Sequence, residues 1–85
     1  SFPPARGYRL NRLLFLLKSD DGFRERFRAD AARALDELGL DAETRGAVQA
    51  FDRDRLLALG AHAYLVFMAA LRLRMENDPG AFEYF

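Results

Sequence analysis

The stretch that decides the fold runs from Gly60 to Met75 and reads GAHAYLVFMAALRLRM. It contains His62, the only histidine of the chain, and between Leu56 and Leu71 this is the only strongly polar side chain. A helix built from such residues is apolar on almost every side and needs neighbours all round. The sequence therefore predicts an apolar C-terminal helix that the preceding segments surround.

Length and composition limit the protein to one small domain. The chain has 85 residues, of which 51% are hydrophobic and 31% charged, with a formal net charge of zero. A domain of this size buries roughly 60 to 65% of the surface of its unfolded chain, so its stability amounts to a few kcal/mol. Self-association or docking to a larger partner is therefore expected.

The residue types exclude several classes of function. A neutral chain whose charges alternate in sign lacks the basic surface that nucleic acids require. The absence of cysteine excludes disulfides and thiolate metal sites. The apolar run of residues 56–71 is shorter than the roughly 20 residues of a membrane span. Since no secretory signal opens the sequence, we expect a cytoplasmic protein without a membrane or nucleic-acid partner.

The beginning of the chain predicts an extended arm and a first helix. Residues 1–7 contain two consecutive prolines, which favour an extended backbone. Roughly residues 8–18 follow as a helix, because leucines recur there at the spacing of one buried side. These leucines are Leu10, Leu13, Leu14 and Leu17. Phe15 lies off this stripe on the same side as Asn11, which fits either a second buried stripe or a contact surface.

The middle of the chain predicts a helical segment with a break near residues 29–31, where Asp30 can cap a new helix. One apolar line passes through Phe23, Phe27, Ala31, Leu35 and Leu38. The other side carries arginines with acids between them, and we interpret it as a solvated face rather than a basic cluster. These arginines are Arg24, Arg26, Arg28 and Arg33.

Glycines and aspartates mark the later boundaries. Gly39 suits a left-handed C-cap, and Asp41 suits the N-cap of a short helix over residues 42–50. Asp52 can cap the next turn. Gly60 marks either a break or a close approach of two backbones, and we favour close packing against another segment.

The end of the sequence predicts a turn over residues 76–80 and an aromatic tail up to residue 85. The tail aromatics Phe82, Tyr84 and Phe85 either fold back or reach a partner. The predicted fold class is all-α, a compact bundle of four to five short helices around the apolar C-terminal helix, with the domain over residues 8–75.

The chain is too poor in catalytic residue types for an autonomous enzyme. One histidine cannot complete a facial iron triad or a zinc hydrolase site, so we predict no catalytic residue and no metal ligand. No phosphate-binding loop and no supported Ser-His-Asp set is present. His62 is either a buried, hydrogen-bonded residue or a group offered to the pocket of another chain, and Tyr64 is equally ambiguous.

Several motifs, taken in order, resemble the LigA family, the small alpha subunit of protocatechuate 4,5-dioxygenase. Along the chain they are Tyr8-x-Leu10-Asn11, Arg24-Glu25-Arg26-Phe27-x-Ala29-Asp30, Leu38-Gly39-Leu40, Arg53-Asp54 and Leu59-Gly60-Ala61-His62-Ala63-Tyr64-Leu65. No single motif is specific, but their order and spacing fit the family over about residues 8–75.

The resemblance implies a helical subunit that caps a larger subunit. In that family the large subunit holds Fe(II) and opens a catecholic ring by extradiol cleavage in aromatic catabolism, while the small subunit helps to close the substrate pocket. It implies no cofactor on this chain. The residues expected to face the pocket or partner are His62, Tyr64, Asn11, Phe15, Phe82, Tyr84 and Phe85.

Two departures from the family pattern keep other functions open. Ala61 and His62 stand where family members usually have a second glycine and an asparagine, and most of the following segment is lacking. Both features resemble free-standing LigA-like domains, some of which are recognition domains of peptide precursors that dock a modifying enzyme. A self-associating helical interaction domain is the third alternative.

Overall fold

The computed structural model describes the backbone of residues 5–77 and the side chains of residues 7–74. This part of the chain forms six helices and no strand. They are α1 (Ala5–Ser19), α2 (Asp21–Ala29), α3 (Ala31–Asp36), α4 (Ala42–Ala50), α5 (Arg53–Ala58) and α6 (Ala63–Asn77). The predicted all-α class is confirmed, with six helices instead of four or five. The first helix begins within the segment predicted as an arm, and α6 continues through residues 76 and 77, where a turn was predicted. The rest of the predicted turn and tail, residues 78–85, lies outside the described residues.

The two longest helices, α1 and α6, pack on each other, and the core extends from this pair to the shorter helices. The predicted leucine stripe of α1 is confirmed, because all four of its members are completely buried. From α6, Val66 and Ala69 are buried against this layer. The shorter helices add Phe23, Leu35 and Val48. The fold is thus one long helix pair with four short helices packed around it.

Aspartate caps set the beginnings of the short helices. The Asp20 side chain accepts from the N–H of Phe23, and Asp30 accepts from Arg33 at 3.2 Å. Asp41 and Asp52 cap α4 and α5 in the same way. Each carboxylate satisfies an N–H group that has no partner inside its helix. The predicted break near residue 30 is confirmed. Asp30 ends α2 and caps α3, so this segment forms two helices.

Arg24 corrects the interpretation of the arginine side of α2 as entirely solvated. Its side chain is only 4% exposed, and its Nη1 donates to the carbonyls of Leu17 and Lys18 at 2.9 and 3.1 Å. Asp21 pairs with its Nη2. The guanidinium therefore satisfies the last carbonyls of α1, where a cation is also favourable for the helix dipole.

The segment between α5 and α6 is a break in which two backbones touch. Gly60 has a φ of 104°, a conformation that side-chain-bearing residues rarely adopt. A Cβ placed there would lie 3.3 Å from the Cα of Gly7 in α1. Both structural roles considered for Gly60 are therefore present. The residue lies at the break between α5 and α6, and it permits the predicted close approach of two backbones.

Replacing Gly60 by alanine is expected to lower the free energy of unfolding by about 1–3 kcal/mol, because of backbone strain and the contact with Gly7. Gly46 provides a matched control. It lies inside α4, where an added Cβ would meet only an Arg55 side-chain nitrogen at 3.6 Å, so Gly46→Ala should stabilise by about 0.5–1 kcal/mol. Urea unfolding of the two variants measures both effects, and equal effects would contradict this account.

Candidate functional site

Asn11 joins α1 to the corner between α5 and α6. Its Nδ2 donates to the carbonyl of Gly60 at 3.0 Å, and its Oδ1 accepts from the backbone N–H of His62 at 2.8 Å. Only one orientation of the amide satisfies a carbonyl on one side and an N–H on the other. Sequence reasoning considered Asn11 for a pocket or partner contact, whereas the structure places both of its polar atoms on this corner.

His62 immediately precedes α6, and its carbonyl accepts the N–H of Val66 at 3.0 Å. Its side chain is exposed. This excludes the alternative of a buried histidine, although its position in the sequence is in line with the buried Val66 and Ala69. The reason is that α6 begins only at Ala63, so the helical spacing does not extend back to residue 62.

Lys18 connects the aromatic side chains of two helices. Its Nζ lies 5.6 Å from the ring centroid of Phe15 in α1 and 5.9 Å from that of Tyr64 in α6. An ammonium group at this distance from an aromatic ring is attracted by about 0.5–1 kcal/mol at an exposed site. One lysine therefore holds the two predicted contact residues Phe15 and Tyr64 together.

The prediction that neighbours surround α6 on all sides is wrong within the described residues. Val66 and Ala69 lie on the buried side of the helix, whereas Tyr64 and Phe67 lie exposed on the opposite side. Tyr64, Phe67 and Leu71 share that side because they follow the helical spacing of three and four residues. The helix is therefore apolar on two sides but is covered on one.

We name the surface formed by these groups the aromatic face. It consists of Tyr8, Phe15 and Lys18 of α1 and Tyr64 and Phe67 of α6. The four aromatic residues are between 51% and 63% exposed and are the large exposed hydrophobic residues of the described part. Exposed aromatic residues gathered on two adjacent helices mark a contact surface more often than a solvated one.

Cations predominate in the sequence of the two helices that form the aromatic face. Neither residues 5–19 nor residues 55–75 contain any acid, while they carry seven cations. These cations are Arg6, Arg9, Arg12, Lys18, Arg55, Arg72 and Arg74. The predicted alternation of charge therefore holds for the short helices, whereas cations predominate in α1 and α6, whose only acid is Glu76.

Sequence reasoning found part of this site. It identified Phe15 and Tyr64 as contact candidates and placed Lys18 on the side of Phe15, but it did not propose Lys18, Tyr8 or Phe67 as contact residues. Helical spacing contained a signal for Phe67, which follows Tyr64 by three positions, and for Tyr8, which precedes Phe15 by seven. The tail candidates Phe82, Tyr84 and Phe85 lie outside the described residues.

The described residues offer no group of three or more His, Cys, Asp or Glu side chains arranged to hold a metal ion. Within the same range, none of the helices has the length and hydropathy needed to cross a membrane.

Comparison with known proteins identifies the family. Residues 10–79 match the LigA family, described as aromatic-ring-opening dioxygenase LigAB, LigA subunit. The chain belongs to the LigA family. Searches among curated proteins and among solved structures gave no match. The matched range includes five of the six helices completely and most of α1.

Several residues of the LigA motifs make hydrogen bonds or adopt backbone conformations that fix the helices relative to one another. Asn11 of the first motif and Gly60 of the last are hydrogen-bonded to each other. Arg24 of the second motif caps α1. Gly39 has a φ of 65°, as the predicted left-handed cap requires, and its carbonyl accepts from Arg9 at 2.9 Å. These motif residues hold the helices in place and leave the aromatic face exposed.

Substituting Asn11 tests the corner contact. Asn11→Ala should lower the free energy of unfolding by about 1–3 kcal/mol, since it removes two hydrogen bonds worth about 0.5–1.5 kcal/mol each. Asn11→Asp preserves the acceptor for the His62 N–H but places a carboxylate against the Gly60 carbonyl, so at neutral pH it should also destabilise. Urea unfolding at pH 7 measures both variants. Stability equal to the parent chain in both would show that the corner does not depend on this amide.

Proposed function

We propose that this chain is the non-catalytic helical subunit of an extradiol dioxygenase of the LigAB type. The observation that carries the proposal is the match to the LigA subunit over residues 10–79. In such an enzyme a larger subunit binds Fe(II) and uses dioxygen to open a catecholic ring. The present chain docks on that subunit and closes its substrate pocket.

The residue types of the chain support this division of labour. A mononuclear iron site with a facial triad takes two histidines and one carboxylate, whereas this chain has one histidine and no cysteine. The iron ligands and the acid–base groups of ring opening therefore come from the partner. The contribution of the small subunit is to exclude water from the pocket and to position the substrate.

The aromatic face is the surface on which we place the large subunit. Phe15, Tyr64 and Phe67 are each slightly more than half exposed, and covering the exposed half of such a side chain contributes about 1 kcal/mol. Aromatic side chains dominate the binding energy of many interfaces. Lys18 already holds two of them in place, which lowers the entropy lost on docking.

His62 is the residue that we expect to reach the pocket of the large subunit. It is exposed at the beginning of α6, two positions before Tyr64 of the aromatic face. Its backbone is held by Asn11, so the imidazole projects from a well-defined point. An imidazole can donate to or accept from a hydroxyl or carboxylate group of an aromatic substrate.

Purification from its own cells should recover the chain together with a larger iron-bearing subunit. The complex should open catecholic substrates with Fe(II) and dioxygen, and the isolated chain should not. Ring cleavage is measured by absorbance of the opened product. Ring opening by the isolated chain would refute the non-catalytic role. Recovery with a peptide-modifying enzyme, with covalent change after residue 77, would instead favour the precursor alternative.

Substitution on the aromatic face should weaken the complex without unfolding the chain. Phe67→Glu introduces a charge at a 57% exposed position, so we expect at least a tenfold weaker affinity for the large subunit, equivalent to about 1.4 kcal/mol. Arg53→Glu, at an exposed position of α5, is the control and should bind like the parent chain. Titration calorimetry measures both variants, and circular dichroism verifies their folding. Parent-like affinity of Phe67→Glu would place the interface elsewhere.

A further inference from the structure

The aromatic face contains a single ammonium group. Of the 13 lysine and arginine residues of the chain, Lys18 is the only lysine. Its Nζ lies 5.6 Å from the ring centroid of Phe15 and 5.9 Å from that of Tyr64. Lys18 is half-buried, whereas both rings are more than half exposed. A positive charge therefore lies between the side chains that we expect a partner to cover.

No carboxylate of the described part of the chain pairs with Lys18. Its ammonium contacts the two rings, and the ion pairs within residues 7–74 involve arginines instead, namely Arg24, Arg26, Arg45 and Arg53. Helix α1 contains no acid, and Glu76, the single acid of α6, lies at the opposite end of that helix from Tyr64. The charge of Lys18 is thus not balanced within the described residues.

Arg12 adds a second positive charge on the same side of α1. It follows Tyr8 by four positions and precedes Phe15 by three, so helical spacing places the three side chains on one side. Its side chain is exposed, and it forms no ion pair within residues 7–74. The α1 part of the aromatic face therefore carries two cations beside its two aromatic rings.

A partner that covers the aromatic face also removes the Lys18 ammonium from water. Burying a charge without an anionic partner costs more free energy than covering one half-exposed ring contributes. The two rings compensate part of this cost by cation–π attraction. A carboxylate compensates the rest, because it neutralises the charge and accepts hydrogen bonds from the three N–H groups of the ammonium.

We propose that the large subunit presents the carboxylate of an aspartate or glutamate to Lys18, between Phe15 and Tyr64. This inference rests on the proposed function, because it specifies the chemistry of the partner surface. Apolar groups of the large subunit cover the rings, and its acid pairs with Lys18. The pair selects the partner, because a surface with an apolar or basic residue at this point leaves the ammonium unpaired.

Carbodiimide coupling tests the contact directly, since the reagent joins an amine to a carboxylate that lies against it and takes up the released water as a urea. The purified complex of the full chain with its large subunit is treated, digested and analysed by mass spectrometry. We expect an amide between Lys18 and an acid of the large subunit. Lys18→Arg preserves the charge but has no amine to couple, so this variant should form the complex without the crosslink.

Affinity for the large subunit measures the contribution of the charge. Lys18→Met should bind about tenfold more weakly, whereas Lys18→Arg should stay within about threefold of the parent chain. Arg33→Met is the matched control, because it removes one positive charge at an exposed position of α3, which carries no residue of the aromatic face. It should bind like the parent chain in titration calorimetry, and circular dichroism verifies the folding of each variant.

The salt dependence of association distinguishes a charge pair from a purely structural role of Lys18. Raising the salt concentration from about 0.05 M to about 0.5 M should slow the association of the parent chain more than that of Lys18→Met. Equal slowing of both chains would contradict the charge pair.

The outcomes separate this inference from the proposed function. If the chain and the large subunit form no complex, the proposed function is refuted and this inference with it. Parent-like affinity of Lys18→Met, or a complex in which Lys18 forms no crosslink, would refute the inference alone. A crosslink from Lys18 to an acid of its own chain, or a crosslinked dimer of the isolated chain, would assign the carboxylate to this chain and also overturn the inference.

Discussion

The position of α6, and with it the aromatic face, depends on the contact between α1 and the corner at Gly60. Two glycines allow the backbones to approach, since the Cα of Gly7 occupies the space that a side chain at Gly60 would need. The Asn11 amide then satisfies a carbonyl and an N–H that the break between α5 and α6 leaves without helical partners. The same residue thus has a positive φ of 104° and provides the carbonyl that accepts from Asn11.

This corner connects stability with function. It places the beginning of α6 beside α1, and so brings Tyr64 within reach of Lys18 and Phe15. The Gly60 carbonyl and the His62 N–H are satisfied by Asn11, whereas the neighbouring aromatic side chains are more than half exposed in the part of the chain that the structure describes. A small domain with few kcal/mol of stability thus combines a hydrogen-bonded joint with an apolar surface suited to a larger partner.

Local features of the sequence predicted the fold well, and long-range contacts explain what was missed. The leucine stripe of α1 and the aspartate caps were predictable because helical spacing and capping involve residues within one or two turns. The burial of Arg24 was not, since it depends on the end of α1 lying beside α2. The exposed side of α6 was missed because apolar residues all round a helix suggest neighbours, and the sequence does not tell whether they belong to the same chain.

The predominance of cations on α1 and α6 has a consequence for symmetry. In a twofold dimer of identical chains, equivalent surfaces meet, so each residue near the axis faces its own copy. Two copies of the aromatic face would bring their Lys18 ammonium groups together, and α1 carries no acid to oppose them. Such a pairing is electrostatically unfavourable, whereas a different protein with carboxylates around an apolar patch meets no such repulsion. The distribution of charge therefore disfavours pairing of this face with itself and leaves it available to an unlike partner.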